Sequence, residues 1–365
     1  MNLNFIKNIL LAVVLMCLTS CSAPQIPPEA KQAEEQDLAL WRAGAPLYLP
    51  EEYERYKKAL IRAQIDLIHL NTSSFMFRNY TSVQSEFREL LKAGDVLIGQ
   101  LELKKQEFSQ SVENKMSFFQ NQIEMLKGLS RTMNEGRLAR SDIIKAEVIL
   151  LEVKKRYEKN DFIGADEKMP SLGAYLNAAE KILFPIAKRY SDKIQIMKWQ
   201  HWVDDTVAES KTKNIPVMVV NKSNRTLTLY KRGNAFKTYT IGLGRNGSKD
   251  KLHAGDYATP EGRYKIIKKL PRSRYHKALL INYPNEDDKR QFKISRKKGL
   301  IPRQVGIGGL IEIHGGGKDS MTFGCIALDN PNIDELYSLV DVGTPITIVG
   351  AVDSKNSYTS AIQGK

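Results

Sequence analysis

Two residues of this sequence have the types and the spacing for nucleophilic chemistry. His314 stands in Ile311-Glu312-Ile313-His314-Gly315-Gly316-Gly317, and Cys325 follows eleven residues later in Thr322-Phe323-Gly324-Cys325-Ile326-Ala327-Leu328. The thiolate rather than the thiol attacks, so a cysteine near its ordinary pKa of about 8.5 needs a basic partner. An imidazole can take that proton and return it to a leaving amine. Gly324 permits a tight turn and lets backbone N–H groups come close to a developing oxyanion. A His and a Cys at this spacing also occur as plain core residues, so the pair suggests a dyad and needs its surroundings to support it.

Other glycine-rich segments compete. Gly242-Leu243-Gly244-Arg245-Asn246-Gly247 has the G-x-G-x-x-G pattern, but Ser248 to Thr259 continues through Gly255 to Pro260 with no helical pattern. A dinucleotide site needs a helix there. Gly317-Lys318 lacks the Ser or Thr that should follow in a P-loop, since Asp319 stands in that place. No H-E-x-x-H or paired-Cys spacing suggests a metal site, which needs three or four convergent ligands. Neither cofactor nor metal is expected.

The amino terminus indicates the compartment. Lys7 precedes an apolar run, Ile9 to Leu18, too short for a bilayer span of roughly 20 residues. It has the form of a secretory signal over residues 1–20. Leu18-Thr19-Ser20-Cys21 resembles a bacterial lipobox, which makes Cys21 the lipidation site and residues 21–34 a flexible tether. Ser22, where Asp would retain a lipoprotein at the inner membrane, suggests a periplasmic protein anchored to the outer membrane. With Cys17 removed and Cys21 acylated, Cys325 remains as the free thiol of the three cysteines. Of the formal net charge of +14, most lies between Arg263 and Arg303, where 14 Lys and Arg face Glu286, Asp287 and Asp288. Outside the cytoplasm such a stretch is expected to meet acidic wall polymer or simply solvent, not nucleic acid.

Two halves must position these residues. Residues 51–169 contain no proline, and 7 of the 24 glycines precede residue 201. This part is rich in good helix formers. Pro50-Glu51-Glu52 opens one helix, and Ser141-Asp142 opens another with apolar residues at Ile143 and Leu150 and at Ile144, Val148 and Leu151. The reading is an all-α bundle or antiparallel coiled coil over 35–200 and a linker over 201–214. A mostly β domain follows over 215–350, and 351–365 is expected to be a flexible tail. Its strands are expected at Val217–Val220, Thr226–Tyr230, Thr238–Gly242, Arg263–Lys268, Ala278–Tyr283, Leu310–His314 and Pro345–Val349, with one helix over Asn332–Val340.

The segment His314-Gly315, a spacer, then Thr322-x-Gly324-Cys325 resembles the signature of the L,D-transpeptidase (YkuD-like) family. Asp256 to Tyr264, Leu280 to Asn285, Asp334 to Tyr337 and Gly343 to Ile346 are similar to further family segments, so the resemblance covers about residues 215–350. It implies a β-sandwich-like domain with one or two short helices. It implies that Cys325 attacks the diaminopimelate carbonyl of a peptidoglycan stem tetrapeptide and expels D-alanine. His314 would carry protons, with the Gly315 carbonyl fixing its tautomer, and Thr322 and Gly324 would belong to the catalytic motif. The acyl group would pass to an amine, or to water in an L,D-carboxypeptidase or a hydrolase of stem peptides or of a wall–lipoprotein link. Arg263, Tyr264, Phe323 and Arg303 are candidate substrate contacts. Phe323 and Ala327 stand where many members carry His and Arg or Asn. The reading from another class is a non-catalytic, wall-binding lipoprotein whose helical domain docks a protein partner.

Overall fold

A computed structural model describes residues 26–73 and 79–363. The expected signal and Cys21 lie outside the described residues. The chain divides into two compact units, and the boundary, Glu113/Asn114, falls inside a 52-residue helix.

The first unit is helical: α1 (Pro28–Arg42), α2 (Ala45–Tyr48), α3 (Pro50–Thr72) and the start of α4 (Thr81–Thr132). Pro28 and Pro50 sit in first turns, where a missing N–H costs nothing. Residues 28–34 of the expected tether are helical. Helix α1 starts at Pro28, and Glu29 in its first turn is 2.9 Å from the Arg88 guanidinium. Ala33, Leu40, Leu60, Leu67, Phe87 and Leu90 are buried.

In the second unit, the end of α4 is followed by α5 (Gly136–Glu158), α6 (Phe162–Ser191) and α7 (Lys193–Lys213). Helix α5 begins five residues before the expected start at Ser141. Of its two apolar stripes, Ile143 and Leu150 enter the core, whereas Ile144, Val148 and Leu151 are exposed. The expected linker is part of α7, which is capped by Asp192 and ends at left-handed Asn214. It is helical because one face packs on the β domain. Trp199 is fully buried and Thr206 meets Thr347 hydroxyl to hydroxyl at 2.6 Å. A Cβ on Gly350 would lie 2.3 Å from the Trp199 ring, so only glycine lets the chain pass there.

The β domain has eight strands in the order β3-β2-β1-β8-β4-β5-β6-β7: β1 (Pro216–Asn221), β2 (Thr226–Lys231), β3 (Asn234–Thr240), β4 (Gly262–Ser273), β5 (His276–Ile281), β6 (Glu312–His314), β7 (Ile326–Ala327) and β8 (Pro345–Val349). The pairs β1–β8 and β6–β7 are parallel and the others antiparallel. The twelve-residue β4 pairs with β8 through Lys265 and with β5 from Ile266, with register shifts where it changes partner. Such irregularities bend a strand. The sheet curls until Gly242, just past β3, exchanges two backbone hydrogen bonds with Ala327 of β7, at 2.8 and 3.0 Å. The core between its layers includes Val220, Leu227, Ile266, Ile281, Ile313 and Ile348.

Three helices complete the unit: α8 (Glu286–Lys297), α9 (Asn330–Leu339) and α10 (Ser357–Gln363). Helix α8 occupies a stretch between expected strands where no helix was expected. Asn285 and Asp288 form a capping box, with Glu286, Asp287 and Asp288 in the first turn and Arg296 and Lys297 in the last. The expected flexible tail is docked as far as its side chains are described. Tyr358 is fully buried with its ring 4.5 Å from that of Tyr190, and Asn356 Nδ2 donates to the Tyr190 carbonyl at 2.9 Å.

Candidate active site

Strand β6 ends at His314, and β7 begins one residue after Cys325. The two strands are parallel, with Ile313 opposite Ile326 and His314 opposite Ala327. Side chains alternate along a strand, so Cys325 is on the sheet face of Ala327 and His314, one pleat away. The intervening residues 315–324 form the loop that leads to Cys325, the candidate nucleophile.

The imidazole is held in one tautomer. His314 Nδ1 is 2.6 Å from the Gly315 carbonyl, which can only accept, so Nδ1 carries the proton and Nε2 keeps a lone pair. The His314 side chain is buried, and burial lowers its pKa; the Gly315 carbonyl and the Glu312 charge act in the opposite direction. Tyr275, at the tip of the β4–β5 hairpin, stacks on the ring with centroids 4.6 Å apart and planes at 25°. Any Cβ on Gly315 would meet the Tyr275 carbonyl at 2.7 Å, so the hairpin tip and the histidine approach at the limit of backbone contact.

Burial also pushes the Cys325 thiol above its ordinary range, and the nearby Glu312 charge adds to that, while a backbone hydrogen bond at Glu312 and the Lys251 charge pull it down. The thiol contacts the Leu310 carbonyl at 3.7 Å. Both shifts favour the neutral forms of the thiol and the imidazole.

The nucleophile turn is stapled by Thr322, whose hydroxyl donates to the Cys325 carbonyl at 2.6 Å and accepts from the Gly324 N–H at 3.1 Å. Gly324 contributes conformation rather than an open donor: its φ is +131°, and a Cβ would lie 2.7 Å from the Ala258 carbonyl. The Gly242–Gly247 segment is the backing of this turn, without a helix after it. Arg245 N donates to the Thr322 carbonyl at 2.9 Å and Thr322 N to the Leu243 carbonyl at 3.1 Å. At Gly244 a Cβ would strike the Tyr257 carbonyl at 2.2 Å.

The candidate substrate residues do not gather around this pair. Phe323 is exposed beside the nucleophile, packed on Tyr257 with the Arg245 guanidinium over its ring. Tyr264, by contrast, is 4% exposed, and its hydroxyl donates to Asp288 and to the Glu261 carbonyl. Its alternation on β4 turns it into the core, which removes it as a substrate contact. Arg263 pairs with Asp205 of α7 at 3.1 Å and lines a cavity of about 590 Å³ whose walls include neither Cys325 nor His314. Arg303 offers its carbonyl to Arg296 in the loop after α8. Ala327 is buried in β7 opposite His314. Among the described residues, no group of three or more His, Cys, Asp or Glu side chains is placed to hold a metal ion.

Sequence reasoning missed Glu312, Tyr275 and the helical residues at the site. Glu312 was legible, because Glu312-Ile313-His314 in a strand puts 312 and 314 on one face. The helical contribution was not. Asn134, in the turn between α4 and α5, donates to the Gly244 carbonyl at 2.6 Å, and Arg137 donates to the Arg245 carbonyl at 2.8 Å. The helices thus grip the segment that backs the nucleophile turn.

Residues 215–348 match the model of the YkuD family, the L,D-transpeptidase catalytic domain. Over 132 residues the chain is 34% identical to a putative L,D-transpeptidase, YafK, of Escherichia coli strain K12, covering 34% of this chain and 47% of that protein. The same values hold for the YafK protein of Escherichia coli O157:H7. The chain thus spans about half the length of the curated relatives it matches. Among solved structures, L,D-transpeptidase 1 of Mycobacterium tuberculosis aligns with 18% identity over 37% of this chain and 62% of that one, at a TM-score of 0.24. An L,D-transpeptidase from Mycobacterium smegmatis aligns with 16% identity over 36% and 58%, again at 0.24.

Proposed function

From the match of residues 215–348 to the L,D-transpeptidase catalytic-domain model, we propose that this protein is a cysteine acyltransferase acting on peptidoglycan stem peptides. Cys325 Sγ attacks the diaminopimelate carbonyl of a tetrapeptide stem as its proton passes to His314 Nε2. The tetrahedral adduct collapses with cleavage of the C–N bond, and the imidazolium returns the proton to the departing D-alanine amine. The resulting thioester is resolved by an amine, which forms a new amide, or by water, which yields a shortened stem. In either case His314 takes the incoming proton and the thiol is regenerated. The observation that carries this reading is the Nδ1 contact with the Gly315 carbonyl, which leaves Nε2 basic on the sheet face that also bears Cys325. Glu312, which raises the His314 pKa, favours the imidazolium that forms on attack.

Incubation with purified muropeptides tests the proposal. Release of D-alanine that disappears in Cys325→Ala is expected, with cross-linked dimers marking transfer and shortened monomers marking hydrolysis. D-alanine release that persists in Cys325→Ala refutes it. From the amino-terminal residues 7–22 we further propose that the protein is periplasmic and carries a lipid on Cys21. Metabolic labelling with a fatty acid, lost in Cys21→Ala, is the expected result; unchanged labelling refutes the anchor.

A further inference from the structure

A second feature adjoins the nucleophile loop and is independent of the transferase reading. A cavity of about 220 Å³ lies between the α4–α5 turn and the segment Lys318–Met321, which leads into Thr322. Its walls bring together Arg131, Arg137, Arg140, Arg225 and Lys318 against Asp319. Lys318 is paired with Asp329 at 3.0 Å. The arginines are not compensated in this way. Arg137 donates to the carbonyls of Asn134 and Arg245 and to Asn246 Oδ1, and Arg225 to Asn134 Oδ1 and the Thr132 carbonyl, all neutral acceptors. Among the described residues no carboxylate stands within ion-pair distance of Arg131, Arg137, Arg140 or Arg225. Glu135, the carboxylate on the same turn, is fully buried against the backbone N–H groups of Ser248 and Lys249.

We propose that this cavity is a binding site for an oxyanion, a carboxylate or phosphate group. Four arginines lining a concavity with protein walls focus positive potential, and the planar donor fork of a guanidinium matches the geometry of both anions. The volume, against about 30 Å³ for one water molecule, admits a head group with some of its hydration. The site joins two parts of the chain that act on one loop. The α4–α5 turn holds Gly244, and a Cβ on Gly242 would lie 2.4 Å from the Lys318 carbonyl, so the cavity wall is packed onto the backing of the nucleophile turn. A bound anion neutralises the charge between the helices and this wall.

The test is calorimetric titration of the full chain carrying Cys325→Ala, at low ionic strength, with inorganic phosphate and separately with a muramyl tetrapeptide. Saturable binding of at least one is expected, weakened about tenfold in Arg131→Gln/Arg140→Gln and restored to within about threefold in Arg131→Lys/Arg140→Lys. Charge-assisted hydrogen bonds of this type are worth that factor or more. Binding of phosphate alone identifies a phosphate group as the ligand, and peptide binding that phosphate competes away identifies a wall carboxylate. Both outcomes uphold the site. Absence of saturable binding for both probes overturns it. So does binding that the glutamine pair leaves unchanged while its melting temperature matches the parent's; peptide bound in that manner belongs to the Cys325 cleft. Loss of D-alanine release in the active protein would bear on the transferase reading and not on this one.

Discussion

Replacing Glu261 by Gln should partly detach α6 and α7 from the β domain, and the size of the effect follows from the charges around it. The Glu261 side chain is buried and accepts from Arg189 at 2.8 Å, from Lys222 at 2.9 Å and from the Trp199 indole at 3.0 Å. Burial opposes its ionisation, but Lys222 and Arg189 prevail and lower its pKa from 4.5 to about 2. A depressed carboxylate stabilises above its unfolded value, and that stability is lost as pH falls from about 4.5 toward 2. The shift corresponds to about 3 kcal/mol above pH 5 and about 1 kcal/mol at pH 3. Removing one partner of a buried pair costs about 3–5 kcal/mol by another route. The lower end applies, because the Lys222 ammonium keeps the Lys249 and Thr259 carbonyls. Asp250 also supplies a reserve: burial first and Glu261 second raise its pKa to about 7, so removing the Glu261 charge lets it ionise beside Lys222 and Arg189. Urea titrations of the variant should show a loss of about 3 kcal/mol at pH 6 that shrinks to about 1 kcal/mol at pH 3. The melting temperature at pH 6 should fall by about 6–12 °C, given about 2–4 °C per kcal/mol for a unit of this size. A loss below about 1 kcal/mol at pH 6, or one of equal size at both pH values, would refute the reasoning.

Gly324→Ala should lower D-alanine release by about 100-fold or more, since its φ of +131° and the Ala258 carbonyl at 2.7 Å force the nucleophile to shift, and displacements of about 1 Å cost that much; steady-state kinetics check it, and a loss under tenfold counts against it. Because burial raises the Cys325 thiol, its alkylation by iodoacetamide should keep accelerating from pH 7 through pH 9 as thiolate forms. A rate that levels off below pH 8 would mean a preformed thiolate–imidazolium pair instead.

The sequence by itself brought the candidate catalytic residues together with the local elements that carry them. His314, Thr322, Gly324 and Cys325 lie within one short stretch, and their roles depend on a strand end, a turn and a hydroxyl close in the chain. Strand periodicity placed seven of the strands to within a few residues, and it could have placed Glu312 beside His314. The capping box Asn285–Asp288 was equally local, though α8 was hidden by the surrounding run of basic residues.

Tertiary structure alone decided where the domains end. Composition separated helical from β residues and so predicted a linker at 201–214, whereas compactness divides the chain within α4. Polar contacts between residues far apart in sequence help tie the helices to the β domain and the tail to α6: Arg189 and Trp199 to Glu261, Asn134 to Gly244, and Asn356 to Tyr190. Each partner taken alone reads as a solvated surface residue, because a polar side chain reveals its burial only through the group it meets. Periodicity measures which face of an element is apolar and carries no information about which distant hydrogen-bond donor will satisfy a buried carboxylate. For the same reason Tyr264, a candidate contact by its place in a motif, is a core residue by its place on β4.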